Sequence, residues 1–152
     1  MAKALYEIKI GNDAAIREQA YAVRRKVFIE EQHVPEELEM DGYDIEASTC
    51  HLLVSDQTGC VIATARFRPY GDGLLKVERV AVLADRRGRG IGRQMMLAVE
   101  GEALAYGCRE LMLSAQLHAQ HFYEHLGYEA QGAVYQEAGM EHVDMVKRLT
   151  DQ

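Results

Sequence analysis

One α/β (α+β) domain spanning residues 1–152 is the fold class that this sequence predicts. Three observations predict it. Segments of strand period and helix period succeed one another along the chain, with no repeat, linker or low-complexity tract between them. A central apolar strand runs straight into an arginine-rich glycine loop at 86–93, and that loop opens a helix. The 152 residues, 48% of them hydrophobic, suffice for one core and argue against disorder.

Residues 4–10 alternate as a first strand. Asn12 or Asp13 can cap a helix that carries Ile16, Ala20, Val23 and Val27 at helical spacing. An acidic, irregular stretch covers 33–48, with Pro35 and Gly42 as breakers. Residues 51–55 read as a strand, Gln57-Thr58-Gly59 as a hairpin turn and 60–67 as the partner strand. A turn at 69–73 leads into the central strand and then a helix from Arg93 to about Tyr106. Gly107 stands where a left-handed C-cap is wanted. A short strand follows at 111–114. Ala119, Phe122, Tyr123 and Leu126 mark one face of a short helix ended by Gly127, with Phe122 as a core aromatic. Two last strands, near 129–136 and 142–149, flank Ala138-Gly139.

Composition narrows the partners. A formal net charge of -7 argues against a broad nucleic-acid surface. The basic cluster at 86–93 stands against that acidity and favours a small anionic ligand. Cys50, Cys60 and Cys108 are odd in number and widely spaced, so no disulfide framework is expected and they read as small hydrophobes. The N-terminus has no apolar signal core and no membrane-length apolar run occurs, so a cytoplasmic protein is expected.

The loop decides the chemistry. A helix start presents unpaired N–H groups and a partial positive charge, and glycines let a phosphate approach them closely. The Walker A string is absent, and the dinucleotide fingerprint fails because Gly88 and Gly90 are followed by Arg93. The remaining pattern, Arg/Gln-x-x-Gly-x-Gly/Ala, is filled by Arg87, Gly90 and Gly92. With the preceding "VERVAV" strand it resembles the acetyl-CoA pyrophosphate loop of the GNAT superfamily of N-acetyltransferases.

That resemblance covers nearly the whole chain and implies a mixed, mostly antiparallel sheet flanked by helices, with strands four and five splayed. It implies acetyl-CoA as cofactor. Val80, Ala81 and Val82 would line its pantetheine arm, Val80 and Val82 with backbone groups that the splay leaves unpaired. Arg87, Gly88, Arg89, Gly90, Ile91, Gly92 and Arg93 would wrap the pyrophosphate. The segment "HAQHFYEHLGYEA" at 118–130 resembles the family's Phe-Tyr-x-x-x-Gly-Phe/Tyr motif, in which Tyr123 would sit beside the cofactor sulfur. A thiol's pKa is about 8.5, so a positioned hydroxyl can protonate the departing thiolate. The attacking amine, with a pKa near ~10.4, must lose a proton. Glu78 is the candidate base, on the face that strand alternation gives to Val80 and Val82. The alternative is a carboxylate paired with Arg79 or Arg66.

Residues 23–53 resemble the ElaA-like and YjcF-like branch of the superfamily through Arg24, Val27, Phe28, Glu31, Gln32, Asp41, Asp44 and His51. "LSAQ" and "EAGMEHVDM" look like that branch as well. The acceptor side of such a fold would hold Glu31, His51, Gln116 and His142. An acidic wall of Glu30, Glu31, Glu36, Glu37, Glu39, Asp41, Asp44 and Glu46 would draw a cationic amine or Lys-bearing peptide; the alternative is a solvated acidic loop. His51 and His142 are equally readable as core histidines, and Gln116 as a strand end. His118, His121 and His125 form one helical stripe, read as a solvated flank rather than a metal site. Two other functions stay open: an acyl-homoserine-lactone-synthase-like acyltransferase and a non-catalytic acyl-CoA sensor. By analogy, the last strands could pair across a two-fold to make a homodimer.

Overall fold

The computed structural model describes residues 5–149; Ala4, the first residue of the predicted opening strand, lies outside them. The strands are β1 (Glu7–Gly11), β2 (Cys50–Ser55), β3 (Val61–Pro69), β4 (Leu74–Val82), β5 (Glu110–Gln116), β6 (Glu129–Glu137) and β7 (Met140–Arg148). They form one seven-stranded sheet in the order β1-β2-β3-β4-β5-β7-β6. Every neighbouring pair is antiparallel except β4 with β5, which is parallel. The helices are α1 (Ala14–Arg24), α2 (Glu36–Glu39), α3 (Ile91–Ala105) and α4 (Gln120–His125).

Asp13 caps α1 by accepting from the Ile16 N–H at 2.9 Å. Asn12 does different work, donating to the Glu46 and Thr49 carbonyls at 2.8 Å each and so tying down the loop before β2. Beyond Arg24 the helix widens into a π-helical segment, Arg25–Glu31. Val23 of α1 and Val27 and Phe28 of that segment pack with Val34 and Ala81 on one face of the sheet. Ile91, Met95, Met96, Val99 and Ala103 of α3 pack against Leu52, Ile62, Val77 and Leu113 on the other. Each such side chain larger than alanine contributes about 1.5–3 kcal/mol on burial.

Two features of β4 shape the functional end. β4 pairs with β5 only over Leu74–Val77 against Glu110–Leu113. Past that point β4 stays with β3 to Val82, while β5 follows β7 to Gln116. The sheet therefore forks. The second feature is a β-bulge: Thr64 faces Ala81 and Arg66 faces Glu78, so Ala65 opposes both Arg79 and Val80. Arg79 takes φ 57 to make it. The extra residue resets the alternation. Val80 and Val82 pack on the α3 side with Val77, whereas Ala81 packs on the α1 side. Glu78 consequently does not share a face with Val80 and Val82, contrary to the simple period-two expectation.

The acidic stretch is not irregular, and its acids are largely neutralised. Asp41 and Asp44 make a capping box around a short 3-10 turn, Gly42–Ile45. Arg24, 0% exposed, binds Glu39 at 2.8 Å and Asp44 at 2.7 Å. Arg66, 1% exposed, binds Asp41, Asp44 and Glu78 at 2.7, 2.8 and 3.0 Å. Arg79 reaches Glu39 at 3.2 Å and Asp41 at 3.1 Å. These acids therefore serve buried guanidiniums and are not a free cation-attracting wall; a guanidinium without water needs carboxylates to be tolerated at all.

The network fixes the response to acid. Against the cost of burial, Arg24 and Arg66 hold the Asp44 carboxyl below its ordinary value. Against the same cost, the Arg68 hydrogen bond and the Arg66, Arg68 and Lys76 charges hold Glu78 at about 2, below 4.5. Both groups bind protons more readily unfolded than folded. Their stabilisation is complete above about pH 5 and is lost as pH falls through the folded values. Glu39 moves the other way, because burial outweighs Arg79 and Arg24. In urea denaturation, Glu78→Gln should flatten the fall in stability below about pH 4.5 relative to wild type; an unchanged acid limb would contradict the assignment. Arg24→Met should cost about 3 kcal/mol at pH 7 by leaving buried carboxylates short of a partner.

Candidate active site

A cleft of about 1080 Å³ occupies the fork. One wall is the free edge of β4 from Glu78 to Val82, and the other is Ser114–Gln116 of β5. The edges of the two strands that face each other there make no ladder pairing. They are backbone donors and acceptors left open to a guest.

The glycine loop closes the outer end. Gly88 and Gly90 both take φ 79, where a side chain would be strained. Gly90 caps α3 without any side-chain hydrogen bond, so the helix begins at Ile91, two residues before the expected start. Among the described residues, Gly88, Arg89 and Gly90 donate no backbone hydrogen bond. Free N–H groups at a helix N-terminus suit an anion. Gly92 has another role: a Cβ there would lie 3.0 Å from the Phe122 ring. Phe122 is 37% exposed and lines the cleft, so it is not the core aromatic that the helical period assigned.

The basic side chains divide. Arg93 lines the cleft and Arg89 does not. Arg87 makes a two-pronged ion pair with Glu31 at 2.6 and 2.8 Å, and its Nε donates to the Val82 carbonyl at 3.0 Å. Its hydrogen bond holds the Glu31 carboxyl below the usual carboxylate range. Next to Glu31, Gln32 exchanges amide hydrogen bonds with Gln116 at 2.8 and 3.0 Å. The end of the π-helical segment is thus clasped to both sides of the fork. His118 bonds Gln116 at 2.7 Å.

Tyr123 is buried beside Phe122 and Tyr128, with ring centroids 5.0 and 5.8 Å away. Burial pushes its hydroxyl pKa up, so it is a proton donor throughout the neutral range. It lines the cleft, and among the described residues its hydroxyl has no hydrogen-bond partner. Glu78 also lines the cleft, but Arg68 and Arg66 bind its carboxylate at 2.6 and 3.0 Å. A carboxylate titrating at about 2 is poorly matched to deprotonating an ammonium.

The inner end carries residues that pattern reading passed over. Tyr135 of β6 donates to Asp144 of β7 at 2.7 Å and also pairs with the Ser114 hydroxyl. His142 stacks on Tyr135 at 6.0 Å, and its Nδ1 donates to the Met140 carbonyl at 2.9 Å. His142 lines the cleft; His51 does not. His51 is fully buried, bonds the Asp44 carbonyl through Nε2 at 3.0 Å, and is kept neutral by burial. It braces the arginine network and is not an acceptor residue. His121 pairs with Glu124 on the α4 surface. Among the described residues no group of three His, Cys, Asp or Glu side chains has metal-holding geometry, and no helix is long and apolar enough to cross a membrane.

Comparisons with known proteins agree with this architecture. The family described as "Acetyltransferase (GNAT) domain" matches residues 12–149. The uncharacterized N-acetyltransferase YjcF of Bacillus subtilis is 37% identical over 129 residues, covering 84% of this chain and 89% of the relative. The crystal structure of Escherichia coli ElaA superposes with a TM-score of 0.84 at 25% identity, covering 94% of this chain and 99% of that one. BjaI, a CoA-dependent acyl-homoserine lactone synthase, superposes at 0.80 with 18% identity, covering 95% of this chain and 84% of that one. That likeness is one of fold alone. The forked sheet, the glycine loop at the start of α3 and the family match together place this chain in the GNAT acetyltransferase family.

Proposed function

We propose that this protein transfers an acetyl group from acetyl-CoA to a primary amine by direct attack within a ternary complex. One observation carries the reading: a free strand edge, Glu78–Val82, leads into a loop in which, among the described residues, the Gly88 and Gly90 N–H groups are unpaired. A chain of amides ending in a pyrophosphate matches that sequence of groups.

Acetyl-CoA supplies an acyl thioester, and the protein's residues do the rest. Val80, Ala81 and Val82 hold the pantetheine amides through backbone groups. Gly88, Gly90, Ile91 and Gly92 hold the pyrophosphate, with Arg87, Arg89 and Arg93 as its basic surroundings. The amine, having lost its extra proton to water, forms a C–N bond as the C–S bond breaks. The electron pair leaves on sulfur, and Tyr123 gives that sulfur a proton. The nitrogen sheds its surplus proton to water, which reprotonates Tyr123. Glu78 anchors Arg66 and Arg68 beside the fork and takes no proton.

Calorimetric titration with CoA tests the central reading; wild type should bind, and Gly90→Val should weaken binding about tenfold or more through backbone strain and a blocked approach. Tyr123→Phe should lower kcat for thiol release by a factor of about 10²–10⁴ with CoA affinity little changed. An unaltered kcat removes Tyr123 from the chemistry, and CoA binding without turnover of any amine favours a sensor. Glu31→Gln releases Arg87 from a half-exposed pair worth about 0.2–1 kcal/mol, so CoA should bind up to about fivefold more tightly; weaker binding would show that Arg87 does not meet the pyrophosphate.

A further inference from the structure

Asp144 holds a particular place at the fork. Ser114 is the first β5 residue beyond the last β4 pairing, Val77 with Leu113, and Asp144 is its register partner on β7. The inner end of the cleft, where a guest lying along the open edge of β4 would finish, is thus bounded by this carboxylate. Its Oδ1 accepts the Tyr135 hydroxyl at 2.7 Å. Among the described residues its Oδ2 has no hydrogen bond.

The other acids of the cleft differ from it in what they hold. Glu31 is taken by Arg87, Glu39 by Arg24 and Arg79, and Glu78 by Arg66 and Arg68. The nearby cations are engaged as well: Lys76 lies 3.7 Å from Glu78, and Arg79 serves Glu39 and Asp41. Asp144 lines the cleft, and among the described residues no cation pairs with it. The remaining acid, Glu137, lies 4.0 Å from His142. A carboxylate fixed by a tyrosine hydroxyl, facing a cleft and lacking a counter-ion, is a site for one.

We propose that Asp144 binds the amino group of the acceptor, accepting an N–H from the incoming ammonium, and that Tyr135 is a positioning residue that holds the carboxylate in place. The site deepens the acyl-transfer reading and rests on it for the identity of the cleft. It also sets the acceptor class. An amine with no acid next to its nitrogen suits Asp144 and Glu137. The α-carboxylate of an amino acid would be brought against both, so side-chain amines and alkylamines are favoured over α-amino groups.

The test compares n-pentylamine with norleucine, which differs from it by the α-carboxylate. Thiol release from acetyl-CoA gives KM and kcat, NMR titration gives amine binding without turnover, and calorimetry gives CoA affinity. Wild type should use n-pentylamine with the lower KM. Asp144→Asn should raise that KM about tenfold or more and weaken amine binding in parallel, with CoA affinity within about twofold of wild type. Tyr135→Phe should raise KM by a smaller factor. If Asp144→Asn does not fold, Asp144→Glu, which keeps the charge and displaces it, should still raise KM. Amine binding that depends on Asp144 without any thiol release would uphold the site while removing the transferase reading. An unchanged KM and amine affinity in folded Asp144→Asn, or preference for norleucine by wild type, would overturn the proposal.

Discussion

The parting of β4 from β5 after Val77 is the constraint on which the rest of this molecule depends. A sheet normally satisfies its own backbone, and an unpaired edge in its middle is tolerated only because the cleft admits water. The same edge makes the site. It leaves a row of donors and acceptors that ends at a glycine loop and a helix N-terminus, so the guest that satisfies it best is extended, rich in amides and anionic at one end. Ligand chemistry follows from an interrupted ladder more than from any single side chain.

Holding the fork open falls to charge. The bulge at Arg79 redirects β4, and the Arg24–Asp44–Arg66–Glu78 chain of ion pairs fills the α1 side of the sheet beneath it. Buried pairs of this kind add little net stability over an apolar replacement, but removing one partner is costly. They resist rearrangement and so fix the geometry of the fork. Glu39, Asp41 and Asp44 of the 33–48 stretch are consumed in this task. Excess negative charge facing the cleft is left to the β6–β7 side, where among the described residues no lysine or arginine pairs with Asp144 or Glu137.

Much of the fold was legible in the sequence because its signals are local. The glycine–arginine loop, the helical spacing of Ile16, Ala20, Val23 and Val27, and the turn at Gln57-Thr58-Gly59 each specify structure within a few residues. What was not legible came from contacts distant in sequence. A single bulge at Arg79 moved Glu78 to the opposite face from Val80, and no propensity marks arginine for φ 57. The partners of Glu39, Asp41 and Asp44 lie on α1, β3 and β4, so their charges looked free when read along the chain. Phe122 left the core for the cleft wall because the glycine at position 92 receives its ring. Asp144 and Tyr135 stand on different strands, and only the register of β6 with β7 brings them together. A sequence signal did exist: His142 and Asp144 alternate on one face of β7, polar residues in a strand that otherwise buries Val143 and Met145 on its other side.

Amide hydrogen exchange with and without CoA measures the interrupted ladder itself. CoA should slow exchange at backbone amides of 79–82 and 88–93 and leave the β2–β3 pairing unchanged. Exchange at those amides that is indifferent to CoA, or already as slow without it as in the paired strands, would contradict the claim that their partners come from the ligand.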